Sequence, residues 1–290
     1  QARAEQLAHD AECAWTDVWQ DAVSRDDVDV VVVSTINSVL APVTIAAAAA
    51  GKHVLCEKPL GRNAREAAQM VAAAQRAGVR LKTGFNHRHH PAIWQAHVLC
   101  DEGALGPLHF IRAVYGHGGR PCYDKEWRAN AELAGGGELL DQGVHIVDLC
   151  RWFARAGAPS GQDFTAVLGA TATCFWDLGH FTDDRYLPAG SLPATQPAQL
   201  EDNAFALLRT DDGCIAQFHT SWTQWKNRFS FEVFGRDGYV RVEGLGGSYG
   251  TERLEVGRRN PAGGAPAVES FEFPGPDRSW HAEWQEFTAA

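Results

Sequence analysis

Two stretches carry side chains whose types and spacing suit proton chemistry. The first is His53-Val54-Leu55-Cys56-Glu57-Lys58-Pro59-Leu60, an apolar β-forming run that ends in an acid, a lysine and a proline. A lysine at the carboxyl end of a buried strand can exchange protons, because desolvation lowers its pKa. A solvated lysine at a strand end fits the same peptide. The second stretch is Gly135-Gly136-Gly137-Glu138-Leu139-Leu140-Asp141-Gln142-Gly143-Val144-His145-Ile146-Val147-Asp148. In a helix over 138–153, Asp141, His145 and Asp148 fall on one face, beside an apolar ridge of Leu140, Val144 and Val147. A histidine flanked by carboxylates can carry a proton near neutral pH. An exposed helix with a polar stripe is the plainer alternative. His87, His89 and His90 form a tight run but lack a recognised metal-ligand spacing, so no metal site is expected.

These residues need elements to position them. Residues 1–27 suggest two short helices, with Thr16 as N-cap of the second. Val28-Asp29-Val30-Val31-Val32-Val33 is nearly continuous and β-branched, as expected of a parallel strand buried on both faces. An Ala-rich helix over 42–50 stops at Gly51, the strand 53–56 follows, and a helix from Ala64 to Arg76 closes at Gly78. A third strand covers 79–85. Strands alternating with helices predict a parallel βαβαβ unit whose strands deliver Thr35 and Asn37, Glu57 and Lys58, and Asn86 and Arg88 at one sheet edge. Beyond residue 87 the pattern changes. A helix over 91–102, a strand over 108–115 and the helix over 138–153 precede alternating strands within 164–273, separated by Asp212-Gly213 and Asp237-Gly238 hairpin signals. Loops are expected at 116–134, 157–163 and 260–266. The aromatics Phe205, Phe218, Trp222, Trp225, Phe229, Phe231 and Phe234 fit a buried sheet face and a subunit face equally well.

Composition bounds the function. The chain has 290 residues, 45% hydrophobic and 21% charged, with a net charge of −10. That balance argues against a general nucleic-acid binder or attraction to anionic membranes. No apolar run approaches the ~20 residues that span a bilayer. Seven scattered cysteines without a CxxC pair point to reduced thiols and a cytoplasmic protein. Both termini read as helix interiors, so the chain is expected to be a fragment open at both ends.

The Glu57-Lys58-Pro59 turn, the Ser34-Thr35-x-Asn37 loop and Gly137-x-x-x-Asp141-x-x-x-His145 together resemble the Gfo/Idh/MocA family, over nearly the whole chain. The resemblance implies a Rossmann-type α/β parallel sheet, truncated at its N-terminus, over residues 1–86. An α+β substrate-binding and oligomerisation domain with an open, mainly antiparallel sheet would follow over residues 87–290. It implies an NAD- or NADP-dependent enzyme transferring a hydride between a sugar, cyclitol or sugar-derivative hydroxyl and the nicotinamide. In this reading Lys58 and His145 handle the proton and Asp141 orients the substrate and His145. Thr35, Asn37, Glu57, Lys58 and Asn86 line the cofactor, while Arg88, Trp127 and Arg128 contact substrate. The implied assembly is a homo-oligomer, dimer or tetramer. Two alternatives share the pattern: oxidation–elimination–reduction with net glycoside hydrolysis, and a non-catalytic sugar binder. Two departures stand out. The family's opening strand and glycine-rich pyrophosphate turn do not occur in this sequence, so these residues alone are expected to bind NAD(P) poorly and to be inactive. The loop after the first strand reads Thr35-Ile36-Asn37 and Leu40 where the family often has Thr-Pro-Asn and His. The Lys58-Pro59 bond, at a tight strand-end turn, is a candidate for the cis form.

Overall fold

A computed structural model describes residues 2–118, 126–157, 163–174 and 200–290. The expected loop at 157–163 and Cys122 lie largely or wholly outside them. The chain forms two compact units, Gln1–Gly84 with Glu132–Gly135, and Phe85–Ala131 with Gly136–Ala290.

In the first unit, helices α1 (Ala2–Asp10) and α2 (Trp19–Val23) precede the strands β1 (Val30–Val33), β2 (His53–Glu57) and β3 (Leu81–Gly84). The strands pair in parallel in the order β1-β2-β3, connected by α3 (Asn37–Ala49) and α4 (Ala64–Ala77). Val33, Leu40, Val43, Ala47, Val54, Cys56 and Met70 form the core. Three local expectations change. Val18, not Thr16, sits at the N-cap of α2, and Thr16 instead accepts the Val18 N–H at 3.0 Å in a local turn. Helix α3 starts five residues early and runs through Pro42, which has no N–H to give the ladder. The helix persists because Leu40, Ala41, Val43, Thr44 and Ala47 are buried on one side of it. Strand β1 is not buried on both faces. It is an edge strand among the described residues, and Val32 is 53% exposed. Helix α4 is as expected: the Asn63 side chain accepts the Glu66 N–H at 3.0 Å, and Gly78 ends it at φ +67°.

The second unit is an eight-stranded sheet built from β4 (Leu108–Gly116), β5 (Phe164–Ala172), β6 (Asn203–Thr210), β7 (Ile215–Ser221), β8 (Arg228–Gly235), β9 (Gly238–Glu243), β10 (Glu252–Arg258) and β11 (Ala267–Phe273). Its order is β11-β10-β9-β8-β4-β7-β6-β5, antiparallel except for the parallel β4–β7 pair. Helices α5 (Pro91–Asp101) and α7 (Val144–Ala154) help build the core against it. Short α6 (Ala131–Ala134) lies before the glycine run, and α8 (Ser279–Ala289) closes the chain. Strand alternation sorts the two faces. One cross-strand row, Leu208, Ala216, Ile111, Val233, Val240 and Val256, is buried, each large member contributing about 1.5–3 kcal/mol. The neighbouring row, Gln217, Arg112, Glu232, Arg241 and Glu255, lies on the other face, where Arg112 and Arg241 pair with Glu232 and Glu243. The same alternation sorts the strand aromatics: Phe218, Phe229 and Phe231 are buried, Phe205 is exposed and Phe234 half-buried, while in the loop after β7 Trp222 is buried and Trp225 exposed.

Candidate active site

The strand ends of the first unit carry Thr35, Glu57 and Lys58. Thr35 is exposed, its hydroxyl donating to the Ile36 carbonyl at 3.3 Å. Glu57 and Lys58 are half-buried, and the Glu57 carboxylate accepts the Lys58 N–H at 3.2 Å. The Lys58–Pro59 peptide is cis. Glu57 pairs with Gly84, where a Cβ would sit 3.4 Å from the Glu57 carboxylate. Asn37 also braces the chain. It is buried, and its amide donates to the Ala134 carbonyl at 2.9 Å. Arg62, held by Glu66, also donates to the Glu132 carbonyl, so Asn37 and Arg62 together anchor the returning segment 132–135.

The second unit carries Asp141 and His145. The expected regular helix over 138–153 instead opens with a π turn, Leu139–Gly143, before α7. The glycine run is shaped by Glu201, which the sequence did not single out as a capping group. Its carboxylate accepts the N–H groups of Gly137 and Leu139 at 3.1 and 3.2 Å, and its carbonyl accepts the Glu138 N–H at 2.9 Å. A Cβ on Gly137 would lie 2.1 Å from that carbonyl oxygen, so only glycine fits. The carboxylate also satisfies helix-start N–H groups and complements the positive end of the helix dipole.

His145 is 5% exposed and packed among rings. His87 stacks on it with centroids 3.8 Å apart and planes inclined by 25°, while Phe85 and Tyr115 meet it edge-on at 6.1 and 6.4 Å. Burial pushes the Tyr115 phenol well up, with Tyr249 and nearby carboxylates adding to the shift. Burial also raises the Tyr249 phenol, which accepts from the Gln142 amide at 3.3 Å. Asp141 is half-buried, its carboxylate 3.8 Å from Arg128. The Arg128 guanidinium lies 4.5 Å from the Trp127 ring centroid and 3.2 Å from Glu126. The structure therefore brings Trp127, Arg128 and Asp141 together, a mixed aromatic, cationic and anionic surface suited to hydroxyl-rich molecules.

Arg88 forms a fork with Asp148 at 2.7 and 2.5 Å and lies 5.2 Å from the Trp152 centroid, while its side chain stays 38% exposed. Burial pushes the Asp148 carboxyl up, and Arg88 opposes that rise. Asn86 is buried in this unit, donating to the Ser279 hydroxyl at 2.8 Å with its carbonyl 3.1 Å from His87 Nδ1. The remaining histidines of the run spread apart: His89 meets Glu286 at 3.2 Å and His90 meets Glu252 at 3.1 Å. Among the described residues no group of three or more His, Cys, Asp or Glu converges to hold a metal. Nor is any helix there long and apolar enough to cross a membrane.

Comparison with known proteins agrees with this arrangement. The family described as "Oxidoreductase family, NAD-binding Rossmann fold" matches residues 1–85, and the "GFO/IDH/MocA C-terminal domain" matches residues 93–241. The chain is similar to levoglucosan dehydrogenase of Pseudarthrobacter phenanthrenivorans, 27% identical over 239 residues, 78% of this chain and 58% of that protein. It is similar to 1,5-anhydro-D-fructose reductase of Ensifer adhaerens, 33% identical over 227 residues, 76% of this chain and 58% of the relative. The chain thus spans less than two thirds of the length of these relatives. Among solved structures, aldose-aldose oxidoreductase from Caulobacter crescentus, complexed with glycerol, superposes with a TM-score of 0.76 at 26% identity, covering 99% of this chain and 78% of that one. Levoglucosan dehydrogenase in complex with NADH and levoglucosan shares the fold, with a TM-score of 0.77 at 24% identity over 94% of this chain and 68% of that one. With both domains of the family matched, from the parallel sheet ending in Glu57-Lys58 through the glycine–Asp141–His145 turn to the open sheet, the chain belongs to the Gfo/Idh/MocA oxidoreductase family.

Proposed function

We propose that the protein containing this chain transfers a hydride between a hydroxyl-bearing carbon of a sugar, cyclitol or sugar derivative and NAD(P). The observation that carries this reading is His145, buried and clamped between rings, on the helix that presents Asp141 beside Arg128 and Trp127. A hydroxyl losing hydride must also lose a proton, and an imidazole can take it. Lys58 is the second proton-handling group, its backbone fixed by the Glu57 carboxylate. Asp141 orients the substrate, with Trp127 offering a stacking face and Arg128 a hydrogen-bonding fork. The similarity to a levoglucosan dehydrogenase and a 1,5-anhydro-D-fructose reductase supports a substrate of this class.

The residues present fit the nicotinamide end of a dinucleotide, since Thr35, Glu57 and Lys58 offer an exposed hydroxyl, a carboxylate and an ammonium at parallel strand ends. No glycine-rich turn opens a helix after a strand among the described residues of the first unit, so the pyrophosphate contact is not assigned to this chain. A bound nicotinamide would accept or return the hydride. In the full-length protein, Lys58→Ala and His145→Ala each reduce turnover by about 10²–10⁴-fold in steady-state assays with a sugar panel. Near-normal turnover in both variants would overturn the assignment.

The assembly is proposed to be a homo-oligomer, supported by apolar side chains on the open sheet: Leu168, Phe205, Leu207 and Ile215 are each at least 44% exposed. A cytoplasmic location is proposed on the free thiols, the described cysteines being unpaired with one another. Recovery of the protein from a secreted fraction would overturn it.

A further inference from the structure

The run Phe85-Asn86-His87-Arg88 is held from both sides of His87. Asn86 is tied to Ser279 of α8, and Arg88 is forked onto Asp148 of α7, one turn beyond His145. With its neighbours fixed, the His87 ring is delivered flat against His145 at 3.8 Å. Tyr115 and Phe229 enclose it at 5.2 and 6.0 Å, and Asn86 Oδ1 lies 3.1 Å from its Nδ1. Such a stack does two things. It fixes the plane of His145, whose terminal torsion would otherwise be soft. It also places two imidazoles in contact, and like charges that close disfavour double protonation.

We propose that His87 is a positioning residue for His145: it clamps the imidazole plane, and the stacked pair carries at most one proton near neutral pH. The proposal rests on the reading of His145 as the group that exchanges the substrate hydroxyl proton. A pair restricted to one proton keeps one ring available as base while the other accommodates the charge. Titratable groups around the pair include Tyr249 and Glu138, both of which act on Tyr115. Tyr115 faces both rings, Asp141 lies on the same helical segment as His145, and His90, paired with Glu252, is 5.6 Å behind His87. Asp148 is engaged by Arg88, and α5 turns its His97 to Trp152 instead.

The test is an NMR pH titration of the imidazole carbons of His87 and His145 in this chain, with His87→Phe and His87→Ala compared, and the same variants assayed in the full-length enzyme. The wild-type pair is expected to take up protons in two macroscopic steps separated by about one pH unit or more. In His87→Phe, which keeps an aromatic plate, His145 titrates in a single step and turnover falls less than in His87→Ala. In His87→Ala the single step also appears, but turnover falls about tenfold because the plane is no longer clamped. Both variants lose the wild-type shape of the acidic limb in kcat/KM, which a purely structural role would leave in place. A His145 titration curve identical in all three proteins overturns the proposal, whether or not His87→Ala folds, because His87→Phe carries the same comparison. Coupled titration in a full-length protein with no turnover on any sugar would support the pairing while overturning the oxidoreductase reading.

Discussion

Gly137 shows how one position can govern the turn that leads to Asp141 and His145. The contact that forbids a side chain there is with the Glu201 carbonyl, and the same residue's carboxylate holds the N–H groups of Gly137 and Leu139. Gly137→Ala therefore pushes the start of the π turn off its cap. The expected cost is about 1–3 kcal/mol, read as a lower midpoint in urea unfolding, with loss of turnover in the full-length protein. A midpoint equal to wild type would show that the turn is not clamped as described. Asp141 and His145 were legible from residue type and spacing, because proton chemistry needs those groups. Glu201 was not legible as their support, since it lies 64 residues from Gly137 along the chain. His87 was visible only as part of a histidine-rich run, and ring stacking against His145 is a contact the run does not show.

At the scale of elements, local signals succeeded where the backbone needs a particular residue. Helix α4 begins at Asn63 because its amide oxygen accepts the Glu66 N–H, and ends at Gly78 because the αL conformation suits glycine. Asn63→Ala should cost about 1 kcal/mol in denaturant melts. Thr16→Ala, at the position expected to cap α2, should change stability by no more than about 0.5 kcal/mol, because the hydroxyl serves only a local turn. A larger loss at Thr16 than at Asn63 would reverse this account of the two helix starts. Local signals failed where packing outweighs propensity. Helix α3 passes Pro42 because its apolar side is buried.

At the scale of the whole molecule, the second unit spends one sheet face on its core and leaves the other open. On that open face the row of Arg112, Glu232 and Arg241 is bordered by apolar positions at Leu168, Leu207 and Ile215. Charged side chains there pair with one another, while the apolar ones have no cover among the described residues, which motivates the proposed homo-oligomer. Leu168→Asp combined with Leu207→Asp, substitutions outside the core, should lower the molar mass in sedimentation equilibrium toward the monomer while leaving the far-UV spectrum unchanged. An unaltered mass would rule this face out as the contact.

By itself the sequence determined the features that arise from periodicity and from chemical type. Parallel strands alternating with helices and an open sheet of mainly antiparallel strands are local patterns, repeated over a few residues. The tertiary structure decided the partners. It assigned the glycine run to Glu201, Arg88 to Asp148, Asn37 to Ala134 and His87 to the face of His145. None of these pairs is close in sequence, and each depends on which side chains burial forces into contact. Period and residue type are properties of the chain, whereas the company a polar group keeps is a property of the packed fold.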